Sequence, residues 1–316
     1  MQLAKKRGAQ MTTIDRSIPT TEQTNRKTAR LSVLPTRTIL KIINDEDRKV
    51  AEAVRREIPA IDKAVDLIVE RLKKGGRLIY VGAGTSGRLA ILDASELMPT
   101  FGVGPKTVLA IIAGGRRAIT HPAEGAEDSS RNGANALRKI GVRKTDAVLG
   151  ISASGRTPFV LGALTYSKSR HALTIALTSN PNSPISNAAQ LTICPKTGSE
   201  VITGSTRMKA GTAQKLVLNM ISTVTMLKLG RTFGPLMVNV QPISTKLVNR
   251  ATRIVALATG LKPNQAKRRL KEASMNVPAA ILMTKTKLTY RKAARLLRTT
   301  RGSLQAAIAL AESKPE

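Results

Sequence analysis

Three short turns rich in glycine and hydroxyl side chains carry residue types able to hold an anion: VGAGTSGR at 81–88, ISASGRTP at 151–158 and TGSTRMKAGTAQK at 203–215. Each follows a short apolar run and leads into a helical pattern. A helix N-terminus presents unpaired N–H groups and the positive end of the helix dipole, which suits a phosphate. Glycines let the backbone approach the anion, and hydroxyls add donors without adding charge. The candidate binding residues are therefore Gly84, Thr85 and Ser86 in the first turn, and Ser152, Ser154, Gly155 and Thr157 in the second. The third turn adds Ser205, Thr206 and Lys209, with Ser205 and Thr206 expected to cap the following helix. Arg88, Arg156 and Arg207 are further cations close by. Three such turns in one unit predict one phosphorylated small molecule, a sugar phosphate or a nucleotide, rather than a polymer.

Plainer uses exist for the same residues. Ser and Thr are ordinary helix caps, and cations on a first helical turn are commonly solvated. Gly82 to Gly87 satisfies G-x-G-x-x-G, but dinucleotide binding also needs an acid at the end of the next strand. Here that strand, TVLAIIAGG, runs into Arg116-Arg117.

The elements that must position the turns alternate. Apolar spacing predicts two helices across 36–74, closed by Gly75-Gly76. A strand at 77–82 follows, then helix 86–97, strand 107–113, helix 122–139, strand 146–151, helix 157–169, strands 173–178 and 190–194, and helix 206–228. This order predicts an α/β fold, a doubly wound parallel sheet with helices on both faces. Ligands of such sheets bind beyond the carboxyl ends of the strands, where all three turns fall. Residues 1–35 read as a polar arm, 36–240 as the sheet domain with its leading helices, and 241–316 as a small helical bundle. Met11 is an alternative start.

Composition narrows the classes. The 316 residues are 41% hydrophobic and 23% charged, with three Tyr, three Phe and no Trp. No apolar run approaches the roughly 18 residues of a membrane span. The single cysteine, Cys194, excludes an internal disulfide and a cysteine-ligated metal site, and reads as core packing. A reducing cytoplasm fits. The net charge of +32 invites a nucleic-acid reading. The basic residues are spread along the whole chain without interleaved aromatics, so a basic solvated surface is expected, with no nucleic-acid or membrane partner. They are densest over 241–316, with 16 Lys and Arg against 3 acids.

The blocks GAGTSGRLAILDASELMPTFGV, AEGAED, ISASGRTPFV and GSEVITGSTRMKAGTAQKLVLNM resemble the sugar isomerase (SIS) domain proteins, and among them the N-acetylmuramic acid 6-phosphate etherases. The resemblance runs from about Thr20 to beyond residue 300 and is strongest over 77–230. It implies a lyase without metal or cofactor that removes D-lactate from the muramic sugar and adds water, leaving N-acetylglucosamine 6-phosphate. It also implies a part in recycling cell-wall sugar. Glu96 and Glu127 are by resemblance the catalytic pair, Glu96 as the acid for lactate departure and Glu127 as the base at C2. Either could otherwise be a solvated carboxylate. Glu96 lies ten residues beyond Ser86, roughly 15 Å along a helix, which predicts a homodimer with a composite site. Glu200 stands before its Ser-Thr turn much as the base of related aldose–ketose isomerases does, so a substrate-contacting Glu200 and an isomerase remain open. A non-catalytic sugar-phosphate sensor is the rival from another class. The basic surface is not something the family explains.

Overall fold

Five apolar runs become strands because each can be buried on both faces: β1 Leu78–Gly82, β2 Val108–Ile112, β3 Ala147–Ile151, β4 Leu173–Leu177 and β5 Leu191–Ile193. All pair in parallel in the order β2-β1-β3-β4-β5. The computed structural model describes residues 18–240, 242 and 244–313; the alternative start at Met11 and the first half of the expected arm lie outside them. The sheet is accompanied by α1 Thr36–Arg55, α2 Ile58–Lys73, α3 Gly84–Phe101, α4 Ser130–Lys139, α5 Pro158–Ser169, α6 Pro184–Ala188 and α7 Lys209–Lys228. Five more helices follow: α8 Thr245–Thr259, α9 Pro263–Glu272, α10 Val277–Thr286, α11 Tyr290–Thr299 and α12 Leu304–Glu312.

Strand periodicity sorts the core into two layers. Leu78, Tyr80, Leu149, Ile151, Ile175 and Leu177 point to the face covered by α1, α2, α3 and α7. Ile79, Val81, Val148 and Ala176 point to the other, beneath α4, α5 and α6. Helices α8 to α12 enclose a separate core around α10, whose residues Val277 to Met283 are all buried. A helix apolar all round belongs at the centre of a bundle, and its neighbours carry the polar faces. No helix among the described residues is long and apolar enough to cross a membrane.

The α/β expectation holds, with differences at element ends. Helix α4 starts at Ser130 rather than 122. Ser129 caps it by accepting from the Asn132 N–H, and Pro122 and Gly125 hold the preceding residues in turns. Helix α3 runs past the predicted end, through Pro99, and stops at left-handed Gly102. Helix α7 begins three residues later than predicted, and its cap is not Ser205 or Thr206. Instead Glu200, fully buried, accepts from the backbone N–H groups of Lys209 (3.0 Å) and Ala210 (2.9 Å). The buried end of α7 needs these acceptors, because its first N–H groups have no intrahelical partner.

The Lys209 side chain turns inward. Its ammonium meets Glu46 of α1 at 2.7 Å, with 2% and 6% of the two side chains exposed. Lys49 closes on the other Glu46 oxygen. Burial alone would raise the Glu46 pKa, but hydrogen bonds from Lys209 and Lys49 hold it at about 2. Removing one partner of such a pair leaves a buried charge uncompensated. Glu46→Ala is therefore expected to cost about 3–5 kcal/mol in urea denaturation, with most of it recovered when Glu46→Leu is combined with Lys209→Met. A folded pKa below the unfolded one stabilises above the unfolded value and is lost on acidification. Wild-type stability should thus fall between pH 4.5 and about 2, and the double variant should lack this component.

Candidate functional site

The strand order reverses between β1 and β3, and the chain leaves both strands side by side, with Gly82 in register with Ile151. Such a switch point opens a crevice at the carboxyl ends of the strands. The first turn occupies one wall. Gly84, Thr85 and Ser86 form the opening residues of α3, Ser86 buried and Thr85 half-buried. The second turn occupies the other wall, between β3 and the start of α5.

That second turn is built before any ligand arrives. The Ser152 hydroxyl accepts from the Gly155 N–H at 3.1 Å and lies 2.8 Å from the Thr157 hydroxyl. Ser154 Oγ accepts from the Arg156 N–H. Ser152, Ser154 and Thr157 therefore share one small patch of hydroxyls at the N-terminus of α5. Gly155 has φ +70°, and a Cβ there would fall 2.2 Å from Ser183 Oγ, so both conformation and space call for glycine. Two residues with no sequence signal, Asn180 and Thr178, brace the turn from outside. Asn180 donates to the Ala153 carbonyl at 2.8 Å and to the Thr21 hydroxyl at 3.0 Å, and Thr178 donates to the same carbonyl. Thr20 in turn donates to Asn180. Part of the segment expected as a loose arm is thus docked against the loop after β4.

The third turn reaches the first. The space over Gly211 is bounded by Thr85 Cγ2 at 3.5 Å and the Thr206 carbonyl at 3.4 Å, which brings Thr206 and the start of α7 beside Thr85. Ser205 and Thr206 are half-buried there. Glu200 and Lys209, expected at the ligand, have other work: Glu200 caps α7, and the Lys209 ammonium is spent on Glu46. Burial pushes the Glu200 pKa up, and the two backbone donors and Lys209 only partly oppose it.

The two candidate catalytic carboxylates sit differently. Glu127 lies in the exposed loop before α4, and its own carbonyl accepts from the Phe159 N–H at 2.9 Å, in the first turn of α5. The AEGAED loop is thereby pinned to the rim of the hydroxyl patch. Arg88 braces the chain just upstream, donating to the carbonyls of Ala118, Ile119 and His121, so its guanidinium is structural rather than phosphate-binding. Glu96 is exposed on the outer face of α3, three turns from Ser86. Leu92, one turn before Glu96, is 46% exposed, and Met98, on the side of α3 toward β2, is 54% exposed. A cavity of about 670 Å³ between α3 and the edge strand β2 is lined by Met98 and Ile119 but not by Leu92 or Glu96.

What this arrangement can do is hold a phosphate by hydroxyls and helix ends, with one carboxylate at the rim and a second displaced along α3. Comparison with known proteins agrees in kind. A model of the glucokinase regulatory protein N-terminal SIS domain matches residues 60–168, and a SIS domain model matches 133–224. The N-acetylmuramic acid 6-phosphate etherase of Caldanaerobacter subterraneus subsp. tengcongensis is 53% identical over 92% of this chain and 95% of its own. Those of Clostridium beijerinckii and Mesorhizobium japonicum are 47% and 50% identical, over 93% and 91% of this chain and 97% and 94% of theirs. Among solved structures, a phosphoheptose isomerase from Francisella tularensis aligns with a TM-score of 0.46 at 21% identity, over 60% of this chain and 96% of that one. Identity of this extent, over nearly the whole length of each relative, places the chain in the N-acetylmuramic acid 6-phosphate etherase family of SIS-domain proteins.

Proposed function

We propose that the protein is a carbon–oxygen lyase that converts N-acetylmuramic acid 6-phosphate and water to N-acetylglucosamine 6-phosphate and D-lactate. The observation that carries this reading is the identity of 47–53% with etherases over more than nine-tenths of the chain. The geometry supports it. The sugar phosphate sits with its phosphate over the hydroxyls of Ser152, Ser154 and Thr157 and the α5 N-terminus. Thr85, Ser86 and Thr206 approach from the facing wall.

Breaking an unactivated ether at neutral pH is hard, but elimination beside a carbonyl is not. The ring-opened sugar has its aldehyde at C1, an acidic C2–H and the lactyl ether at C3. Glu127 removes the C2 proton, the C3–O bond breaks, and Glu96 protonates the departing lactate oxygen. Water then adds to C3 of the unsaturated aldehyde and a proton returns to C2. Each carboxyl so ends in the state in which it began, and two carboxyls suffice without a redox or group-transfer cofactor. The isomerase alternative needs Glu200 as a base, and both of its oxygens already accept backbone N–H groups.

One subunit is too long for its own substrate. Ten residues of α3 separate Glu96 from Ser86, roughly 15 Å, whereas a hexose phosphate spans roughly half that from phosphorus to C3. Glu96 therefore serves the site of a second copy, and the homodimer is part of the proposal. Support comes from apolar side chains exposed on and beside α3: Leu92 one turn from Glu96, and Met98 and Ile119 toward β2, an edge strand of the sheet.

Glu96→Gln and Glu127→Gln should each lower kcat for D-lactate release by about 10²–10⁴-fold. In H₂¹⁸O the wild-type product should carry label at C3 and the lactate none; label in lactate would overturn elimination. Subunits carrying the two substitutions separately should regain, when mixed as heterodimers, activity that neither homodimer has. Failure of this complementation would return Glu96 to its own subunit.

A further inference from the structure

A large cavity lies away from the three turns. It measures about 1120 Å³ and is bounded by the segments that enter the strands, among them Arg77 before β1, Thr107 before β2 and Arg143 before β3. The phosphate-binding turns leave the opposite ends of these five-residue strands, so the two regions are separated by about 16 Å of sheet. The other wall comes from the Gly230–Arg231 turn and from Thr300 to Ala309, around the junction of α11 and α12. The two walls touch: a Cβ on Gly230 would fall 2.4 Å from Ser303 Oγ, and the Arg301 guanidinium donates to the Lys73 carbonyl at 3.1 Å.

The lining divides into two chemistries. Seven of its side chains are Lys or Arg and none is Asp or Glu. Arg77 is committed to buried Asp146, which the exposed Arg143 guanidinium also approaches at 3.9 Å, and Lys228 is committed to Asp66. Lys73, Lys106 and Arg143 are exposed around the mouth, and Arg231 lies between the walls with a buried Nε that has no hydrogen-bond partner among the described residues. The same lining holds apolar Val103, Leu229, Ala306 and Ala309, and Gln305 offers an amide next to Ala306. So many like charges at one recess repel each other unless an anion neutralises them. A purely anionic ligand would leave the apolar wall wet, and a purely apolar one would leave the cations unpaired. No aromatic side chain lines the cavity for stacking successive bases, as a single-stranded polymer would require. Its volume is that of a small-molecule site.

We propose that this cavity binds a nucleoside polyphosphate, its phosphates on Lys73, Lys106, Arg143 and Arg231 and its base against Val103, Leu229 and the start of α12. The site is separate from the sugar-phosphate turns, does not rest on the etherase reading, and gives part of the basic surface a ligand.

The test is calorimetric titration of the full chain with ATP, without magnesium, at about 0.15 M salt. ATP should bind saturably with a Kd below about 1 mM. Adenosine should bind far more weakly, and saturating N-acetylglucosamine 6-phosphate should not displace ATP. Lys106→Glu with Arg143→Glu should weaken ATP by about tenfold or more while leaving lactate release unchanged. Lys267→Glu with Arg268→Glu, on α9, is the control for net charge and should change ATP affinity little. Absence of binding, displacement by the sugar phosphate, or equal weakening by the α9 control would each overturn the proposal. Inorganic tripolyphosphate binding as tightly as ATP would overturn its nucleoside part.

Discussion

Lys209 joins two buried carboxylates, and the geometry of the crevice hangs on that junction. Its ammonium neutralises Glu46 on α1, while its backbone N–H, with that of Ala210, satisfies Glu200. The three groups are all nearly inaccessible to water, so none tolerates the loss of its partner. Together they fix where α7 starts and how α1 lies across it. The position of α7 in turn sets Thr206 and Gly211 against Thr85, and so closes one wall of the site. A polar knot farther along the same helix repeats the device. Buried Asp93 on α3 accepts from Tyr80 on β1 and Ser222 on α7, with Lys215 at 3.6 Å. Burial raises the Asp93 pKa and these three donors oppose the rise. Helices α3 and α7 are thus registered by hydrogen bonds whose geometry is specific, whereas apolar contact alone would let them slide.

Much of this architecture was legible in the sequence, for identifiable reasons. A parallel sheet buries both faces of each strand, so runs such as LIYVG and LTIAL stand out from amphipathic helices without any knowledge of topology. Glycine- and hydroxyl-rich turns mark strand-to-helix transitions because few other residues fit there. What stayed hidden depended on distant partners. Nothing local distinguishes Glu46 from the other acids of α1, and nothing near Lys209 says that its ammonium points inward. A lysine two residues beyond Arg207 in a candidate phosphate loop reads as a phosphate ligand, and only the packing of α1 removes it. The late start of α4 was hidden by AEGAED, whose alanines and glutamates are good helix formers. Ser129 supplies the cap that decides the matter, and the Phe159 N–H holds the Glu127 carbonyl outside the helix.

That last detail separates two tasks that sequence motifs blur. The turns proposed to hold phosphate are part of the core: Ser86, Ser152 and Gly155 are buried, and the Ser152 hydroxyl accepts from the Gly155 N–H. The carboxylates are carried on the outside, Glu127 on a pinned loop and Glu96 on an exposed helical face. The proposed chemistry asks more of the acids than exposure, because proton transfer needs the acid and base held at hydrogen-bond distance from the reacting atoms. In the proposed homodimer the second copy covers the outer side of α3, where Leu92 is exposed one turn from Glu96.

The distribution of charge follows the same division. At the carboxyl ends of the strands, the proposed recognition uses neutral donors and helix termini. Arg88 is turned onto backbone carbonyls and Lys209 onto a carboxylate, so two of the cations nearest the turns are quenched by the protein itself. Quenching them has a chemical consequence. The lactyl carboxylate and the phosphate are both anions, and an excess of mobile cations between them would bind either group at either place. Fixed hydroxyls and N–H groups in a shaped turn discriminate by geometry where a lysine would discriminate by charge alone. At the other end of the sheet Lys73, Lys106 and Arg231 line a recess that has no acid in its lining.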